Sequence, residues 1–197
     1  MKMKGMADKS LLELHLRELC GLRLALARRA ASMRVFHFGE IRAVDASRKK
    51  RDGTVIKQMG SIGEYGLHLQ CPWRIDGPEN FFVSHRDVWR KSEGTTPPDW
   101  DYESGENLQD KLIAQLLQGT DLVTNSSLNI TDLLVIESVV TNDLGDFTLY
   151  MTGSYRLTSF VDTFEGESWR FMKTDIDEWR HLVFEGGQCR DGWLIRD

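Results

Sequence analysis

The chain has 197 residues, 41% hydrophobic and 28% charged, ordinary proportions for a folded domain with a sizeable core. A net charge of −5 argues against a dedicated nucleic-acid binder, whose affinity rests on a basic surface that releases counterions. Cys20, Cys71 and Cys189 are odd in number, far apart and without paired metal-ligand spacing, which suits reduced thiols in a cytoplasm better than a disulfide framework.

The first apolar stretch is broken by Glu13, Arg17, Glu18 and Arg23, so it reads as neither a signal peptide nor a membrane span. Ser10-Leu11-Leu12-Glu13 has a capping-box pattern, and Leu12, Leu16 and Leu19 recur at helical spacing until Gly21. These signals predict an N-terminal helix over about 10–21. Leu22 to Met33 fits either a second helix or an irregular connection. Met33 to Val44 and Thr54 to Gln58 predict a hairpin around the basic tip Arg48-Lys49-Lys50-Arg51, with Asp52-Gly53 as its turn. Gly60, Gly63 and Gly66 then mark a flexible connection or bulge.

From Tyr65 to Ile75 the alternation separates two surfaces. Leu67, Leu69, Cys71, Trp73 and Ile75 share the core side of an extended segment, while His68, Gln70 and Arg74 share the other. Asp76-Gly77-Pro78-Glu79 turns the chain into Asn80 to Trp89, the expected antiparallel partner. His85, Arg86 and Asp87 thereby join His68, Gln70 and Arg74 as a candidate polar binding face. A helix over about 106–118 follows from Leu108, Leu112 and Leu116, with Gly119 as its stop. Leu133 to Thr141 and Asp146 to Thr152 form a strong hairpin pattern around Asn142-Asp143-Leu144-Gly145, and Gly153 allows a reversal into Tyr155 to Phe160. Ser168 to Lys173, His181 to Glu185 and Gln188 to Ile195 are further strands. The sum is one α+β domain over 1–197, mainly antiparallel sheet as a meander, roll or sandwich. Strands at about 33–90 and a meander over 131–195 accompany the N-terminal and mid-chain helices.

Arg29-Ala30-Ala31-Ser32-Met33 leading to Phe36-His37-Phe38-Gly39, the run Leu67 to Arg74, and Trp169-Arg170 with His181-Leu182-Val183 together resemble an uncharacterised family of small bacterial cytoplasmic proteins. The resemblance implies a bacterial origin and a single folding unit. It carries no activity that can be assigned to a residue.

No complete catalytic motif accompanies these patterns. His68 and Cys71 suggest a metal site with His85 or His181, but positions three apart on a regular strand face opposite ways, and neither CxxC nor HExxH is present. His85-Arg86-Asp87 has Ser92 where a kinase catalytic loop needs Asn, and Ser47-Arg48-Lys49-Lys50 lacks the partners of acyl-transfer enzymes. Asp175-Ile176-Asp177-Glu178 reads as an exposed acidic turn with too few ligands for calcium. The Asn125 and Asn129 acceptor patterns are chance matches without secretion. Trp73 and Trp169 fall in core patterns, whereas Trp100 and Trp179 are expected to be partly exposed.

The resulting expectation is a non-catalytic cytoplasmic binding protein, without cofactor, resident metal, nucleic-acid or membrane partner. Its polar face would meet a partner protein as a toxin-neutralising immunity protein does, the acidic surface steering a basic target. The alternative is a receptor or enzyme for an anionic small molecule, with Arg74 or Arg86 pairing a carboxylate or phosphate and His68 or His85 as acid or base. A metalloprotein is the third reading.

Overall fold

Strand alternation in this chain resolves into two antiparallel sheets that face one another. The computed structural model describes residues 9–104, 106–121, 124, 126–163, 165–174 and 178–195, with backbone alone at 48–49, 104, 178–180 and 191–195. Helix α1 (Lys9–Leu16) runs into a 3₁₀ turn, Arg17–Leu19. The strands are β1 (Leu24–Ala30), β2 (Met33–Asp45), β3 (Arg48–Lys49), β4 (Val55–Ile56), β5 (Met59–Leu69), β6 (Trp73–Asp76) and β7 (Phe81–Ser84). A 3₁₀ helix, His85–Trp89, and helix α2 (Leu108–Leu117) precede β8 (Gln118–Asp121) and β9 (Ser126–Asn129). The chain closes with β10 (Ile136–Thr141), β11 (Phe147–Met151), β12 (Tyr155–Ser159), β13 (Glu167–Thr174), β14 (Glu178–Glu185) and β15 (Gln188–Ile195).

One sheet has eight strands in the order β15-β14-β13-β5-β2-β1-β9-β8, the other five in the order β10-β11-β12-β6-β7, and β3 pairs β4 alone. The architecture is therefore α+β, as expected, and sandwich-like. Phe36 meets Trp73 edge-on at 5.4 Å, and Phe147 meets Trp169 edge-on at 5.4 Å, which locks the sheets together through ring contacts as well as area burial. Leu12, Leu16 and Leu19 of the N-terminal segment are fully buried against the same core, as their spacing predicts. Ser10 is a helical residue within Lys9–Leu16 and not its cap.

Several boundaries shift for identifiable reasons. Leu22 to Met33 is neither helix nor irregular: Leu24–Ala30 is the strand β1, hairpinned to β2. Thr54 to Gln58 is not the hairpin partner of β2: Val55–Ile56 pairs with β3 in a short ribbon at the tip, and β2 pairs with β5. Gly60, Gly63 and Gly66 consequently lie inside β5 and are not a connection. They serve close approach: a Cβ on Gly63 would sit 2.5 Å from the Phe38 carbonyl oxygen, and one on Gly66 would sit 3.1 Å from Met172 Cγ. Helix α2 is capped by the Asn107 side chain, which accepts from the Asp110 N–H at 2.8 Å, and Gln118 in the left-handed region ends it before Gly119. Its buried stripe is Gln109, Ile113, Leu116 and Leu117, so Leu108 and Leu112 are only half-buried.

The eight-stranded sheet curls. A Cβ on Gly60 of β5 would lie 3.8 Å from Thr124 Cγ2 in the β8–β9 turn, although β2 and β1 separate β5 from β9 in the sheet. A flat sheet would hold β5 and β9 about 14 Å apart. The curl encloses the face turned away from the sandwich core and buries Leu26, Val35, His37 and Met172 there. Asn129 is also buried, donating to the Leu24 and Leu133 carbonyls at 2.7 and 3.2 Å.

Candidate functional site

The extended segment from Leu67 to Ile75 is interrupted, and the interruption redistributes the expected polar face. Gln70 and Cys71 both donate backbone N–H groups to the Ser168 carbonyl at 2.9 Å, and Pro72, which has no N–H, ends the ladder. The chain thereby steps from one sheet to the other. Leu67, Leu69, Cys71, Trp73 and Ile75 all remain in the shared core, but His68 stays on β5 while Arg74 lies on β6. His68 and Arg74 therefore do not form one surface, because each keeps its own sheet's outward direction.

The predicted partner strand is shorter than Asn80 to Trp89. Phe81–Ser84 pairs with β6, after which His85–Trp89 winds into a 3₁₀ helix. Asp87 explains the switch: its Oδ2 accepts from Ser84 N at 2.7 Å and from Ser84 Oγ at 3.1 Å. Asp87 is buried in that role, so it drops out of the binding face. His85 Nδ1 lies 3.1 Å from the Cys71 carbonyl oxygen. A carbonyl only accepts, so Nδ1 carries the proton and Nε2 is left available.

Gln70, His85 and Arg86 do converge. With Pro72, Trp89, Arg90 and Asp162 they line an open recess of about 650 Å³. Trp89 is 48% exposed and braced edge-on by Tyr102 at 4.2 Å. Phe160, 38% exposed, adjoins the recess through its N–H to the Pro72 carbonyl at 2.8 Å, and Arg74 lies 5.4 Å over its ring. Arg74 also shares Asp76 Oδ2 with Arg156, at 3.2 and 2.7 Å. The Arg86 and Arg90 guanidiniums have no ion pair or hydrogen bond among the described residues. Trp89 and Arg90 had no sequence signal of their own; Trp100 is half-buried and the Trp179 side chain lies outside the described residues.

No family model, curated protein or solved structure matches this chain.

His68 belongs to the enclosed face of the eight-stranded sheet. Cross-strand register aligns Arg28, Val35, His68 and Arg170 in one row, and Leu26, His37, Gly66 and Met172 in the next. Burial, then the positive charges of Arg28 and His68, holds the His37 imidazole down at about 3; burial, Arg28 and Arg170 hold His68 at about 4. Both rings are neutral at pH 7.

A second polar cluster lies on the sandwich side of the same strands. Buried Arg34 donates from Nε to Gln109 Oε1 at 3.0 Å and from Nη2 to Asp110 Oδ1 at 2.6 Å. Arg29 Nε and Asn107 Nδ2 donate to Asp110 Oδ2 at 3.0 and 2.7 Å. Gln109 Nε2 donates in turn to the Ser84 and His85 carbonyls, so α2 fixes the turn that carries the recess. Burial alone would raise the Asp110 carboxyl, but the Arg34 charge and hydrogen bond, with Asn107 and Arg29, bring it below the ordinary range.

Among the described residues no three His, Cys, Asp or Glu side chains gather as a metal site, and the metal reading from sequence meets a direct obstacle. The Cys71 side chain packs in the core, and burial pushes its thiol up to about 12, while His68 lies on the enclosed face. The acidic stretch Asp175-Ile176-Asp177 lies outside the described residues. Among those described, no helix is long and apolar enough to cross a membrane.

Proposed function

We propose that the protein is a non-catalytic binding module whose recess around Trp89 docks an acidic segment of a partner protein. The observation that carries this reading is an exposed tryptophan lining an open depression together with Arg86 and Arg90, whose guanidiniums have no partner among the described residues. Tryptophan and arginine dominate binding energy at protein interfaces because Trp contributes large area with two rotors, and the planar Arg guanidinium adds bidentate pairing to carboxylates. Gln70 and His85 Nε2 supply polar contacts at the rim. The body of the chain is acidic, but the recess has Arg86 and Arg90 against Asp162 alone, so its own sign favours an acidic partner segment. This differs from the basic target that the overall charge suggests.

Selection of random peptides against the purified full chain tests the reading. Enriched peptides should carry Asp or Glu beside an apolar anchor, bind less tightly as salt rises, and lose about tenfold or more in affinity to the W89A and R86E variants. Enrichment of basic peptides, or binders indifferent to both substitutions, would overturn it.

A further inference from the structure

The enclosed face of the eight-stranded sheet buries donors that the fold itself leaves unused. His37 is 1% exposed, and neither ring nitrogen makes a well-formed hydrogen bond among the described residues, the Tyr65 backbone offering only a weak interaction. Ser168 Oγ and Arg170 Nε, which follow the same face along β13, are likewise buried and unpartnered. Arg28 and His68 make no hydrogen bond or ion pair among the described residues. Among the described residues the acid that engages this group is Glu167, which accepts from Arg170 Nη2 at 2.6 Å and leaves Nε over.

Buried polar groups in folded proteins are almost always satisfied, and an imbalance of this kind has a sign. Every unsatisfied group here can donate, and of the two permanent cations Glu167 pairs Arg170 while Arg28 has no acid partner among the described residues, so the missing partner is an acceptor that carries negative charge. Water would satisfy N–H groups but would not offset the charge of half-buried Arg28, which has no acid partner among the described residues. We propose that this face binds an oxyanion, the phosphate or carboxylate group of a small molecule, between Arg28, His68 and Arg170, with His37 behind them. His68 pairs directly with Arg170 in the β5–β13 register, and Val35 alone stands between it and Arg28. Neutral His68 offers one N–H, and an adjacent anion would offset the repulsion from Arg28 and Arg170 that adds to burial in keeping it unprotonated.

Access is provided at Arg28, which also lines a groove of about 860 Å³. Ala46, Gln58, Ser126 and Ser127 line it near Arg28, and its far side is Arg29, Arg34 and Asp110 of the closed cluster with the carboxylates of Glu93 and Glu103. The site is separate from the Trp89 recess, since none of its residues lines that depression.

The test is titration of inorganic phosphate, and separately of acetate, into the full chain with ¹⁵N-labelled histidine, at pH 7 and at ionic strength held constant with chloride. Saturable shifts of the His68 and His37 ring signals are expected, and the more potent ion names the source of the oxyanion. Arg28→Gln and Arg170→Gln should each weaken the responding ion about tenfold or more, while Arg156→Gln, on the other sheet, should not. Ring signals unmoved by both ions overturn the proposal, as does unchanged affinity in both glutamine variants. Should a variant fail to fold, the wild-type titration still decides.

Discussion

Two buried polar clusters grow from the same pair of strands and follow opposite energetic logic. Arg29 and Arg34, paired across β1 and β2, point to the sandwich side, where Asp110, Gln109 and Asn107 of the α2 region meet them. Arg28 and His37 occupy the alternate positions of those strands and point to the enclosed side, where they meet His68 and Arg170 and, among the described residues, only Glu167 as an acid, which pairs Arg170. The period of two sends adjacent arginines to different environments. One cluster is closed and fastens a helix to a sheet. The other is open, and its unmet donors are a cost to folding that a ligand would recover.

The comparison breaks most directly at Arg34. Removing one member of a closed buried ion pair leaves its partners desolvated and unpaired, so Arg34→Ala should cost about 3–5 kcal/mol in urea unfolding. Arg28→Ala removes a cation that has no partner and should change stability by less than about 1 kcal/mol. Equal costs for the two substitutions would erase the distinction between the clusters.

Acid provides the next largest effect, again through the open cluster. In the unfolded chain both histidines protonate near 6.5, whereas in the folded chain His37 stays neutral to about 3 and His68 to about 4. The unfolded state therefore binds more protons throughout that window. The stability of neutral His37 is fully present above pH 6.5 and is lost as pH falls toward 3, amounting to about 3 kcal/mol by pH 4. Asp110, held below its ordinary range, adds loss of the same sign only below the usual carboxylate pKa. Chemical denaturation at a series of pH values checks this: a stability flat between pH 6.5 and 4.5 would contradict the burial of His37 without a partner.

The sandwich was legible in the sequence where the signal is local. Phe147, Leu149 and Met151 alternate with Thr148 and Tyr150 and are buried as their period requires, and Leu67 to Ile75 identified five true core residues. What failed was the assumption that one alternating run stays in one sheet. The crossing at Gln70 to Pro72 depends on the Ser168 carbonyl of a strand almost 100 residues away, which no window on the sequence contains. The burial of Arg34 is non-local for the same reason, since arginine is ordinarily exposed and its partners Gln109 and Asp110 come from a distant helix. The 3₁₀ turn at His85 was accessible: Ser84-His85-Arg86-Asp87 is a capping pattern, and reading it would have removed Asp87 from the binding face and placed Arg86 and Trp89 on one side. Of the six residues expected there, Gln70, His85 and Arg86 line the recess, Arg74 flanks it, His68 faces the enclosed side, and Asp87 is structural.

His37 itself gives the smallest and most discriminating effect. An imidazole buried without hydrogen bonds costs roughly 1–3 kcal/mol relative to an apolar group, and a leucine sits comfortably among Leu26, Val35 and Met172. Part of that gain is lost to imperfect shape, because a Cβ on Gly66 would lie 3.7 Å from His37 Cε1 and the surroundings fit a flat ring. His37→Leu should therefore stabilise the chain by about 1 kcal/mol at pH 7 and remove one histidine from the acid limb, so that the variant gains more over wild type at pH 5 than at pH 7. Paired urea titrations at the two pH values measure both quantities. A gain that does not grow on acidification would mean that the imidazole is already compensated in the folded chain, and the open cluster would be closed after all.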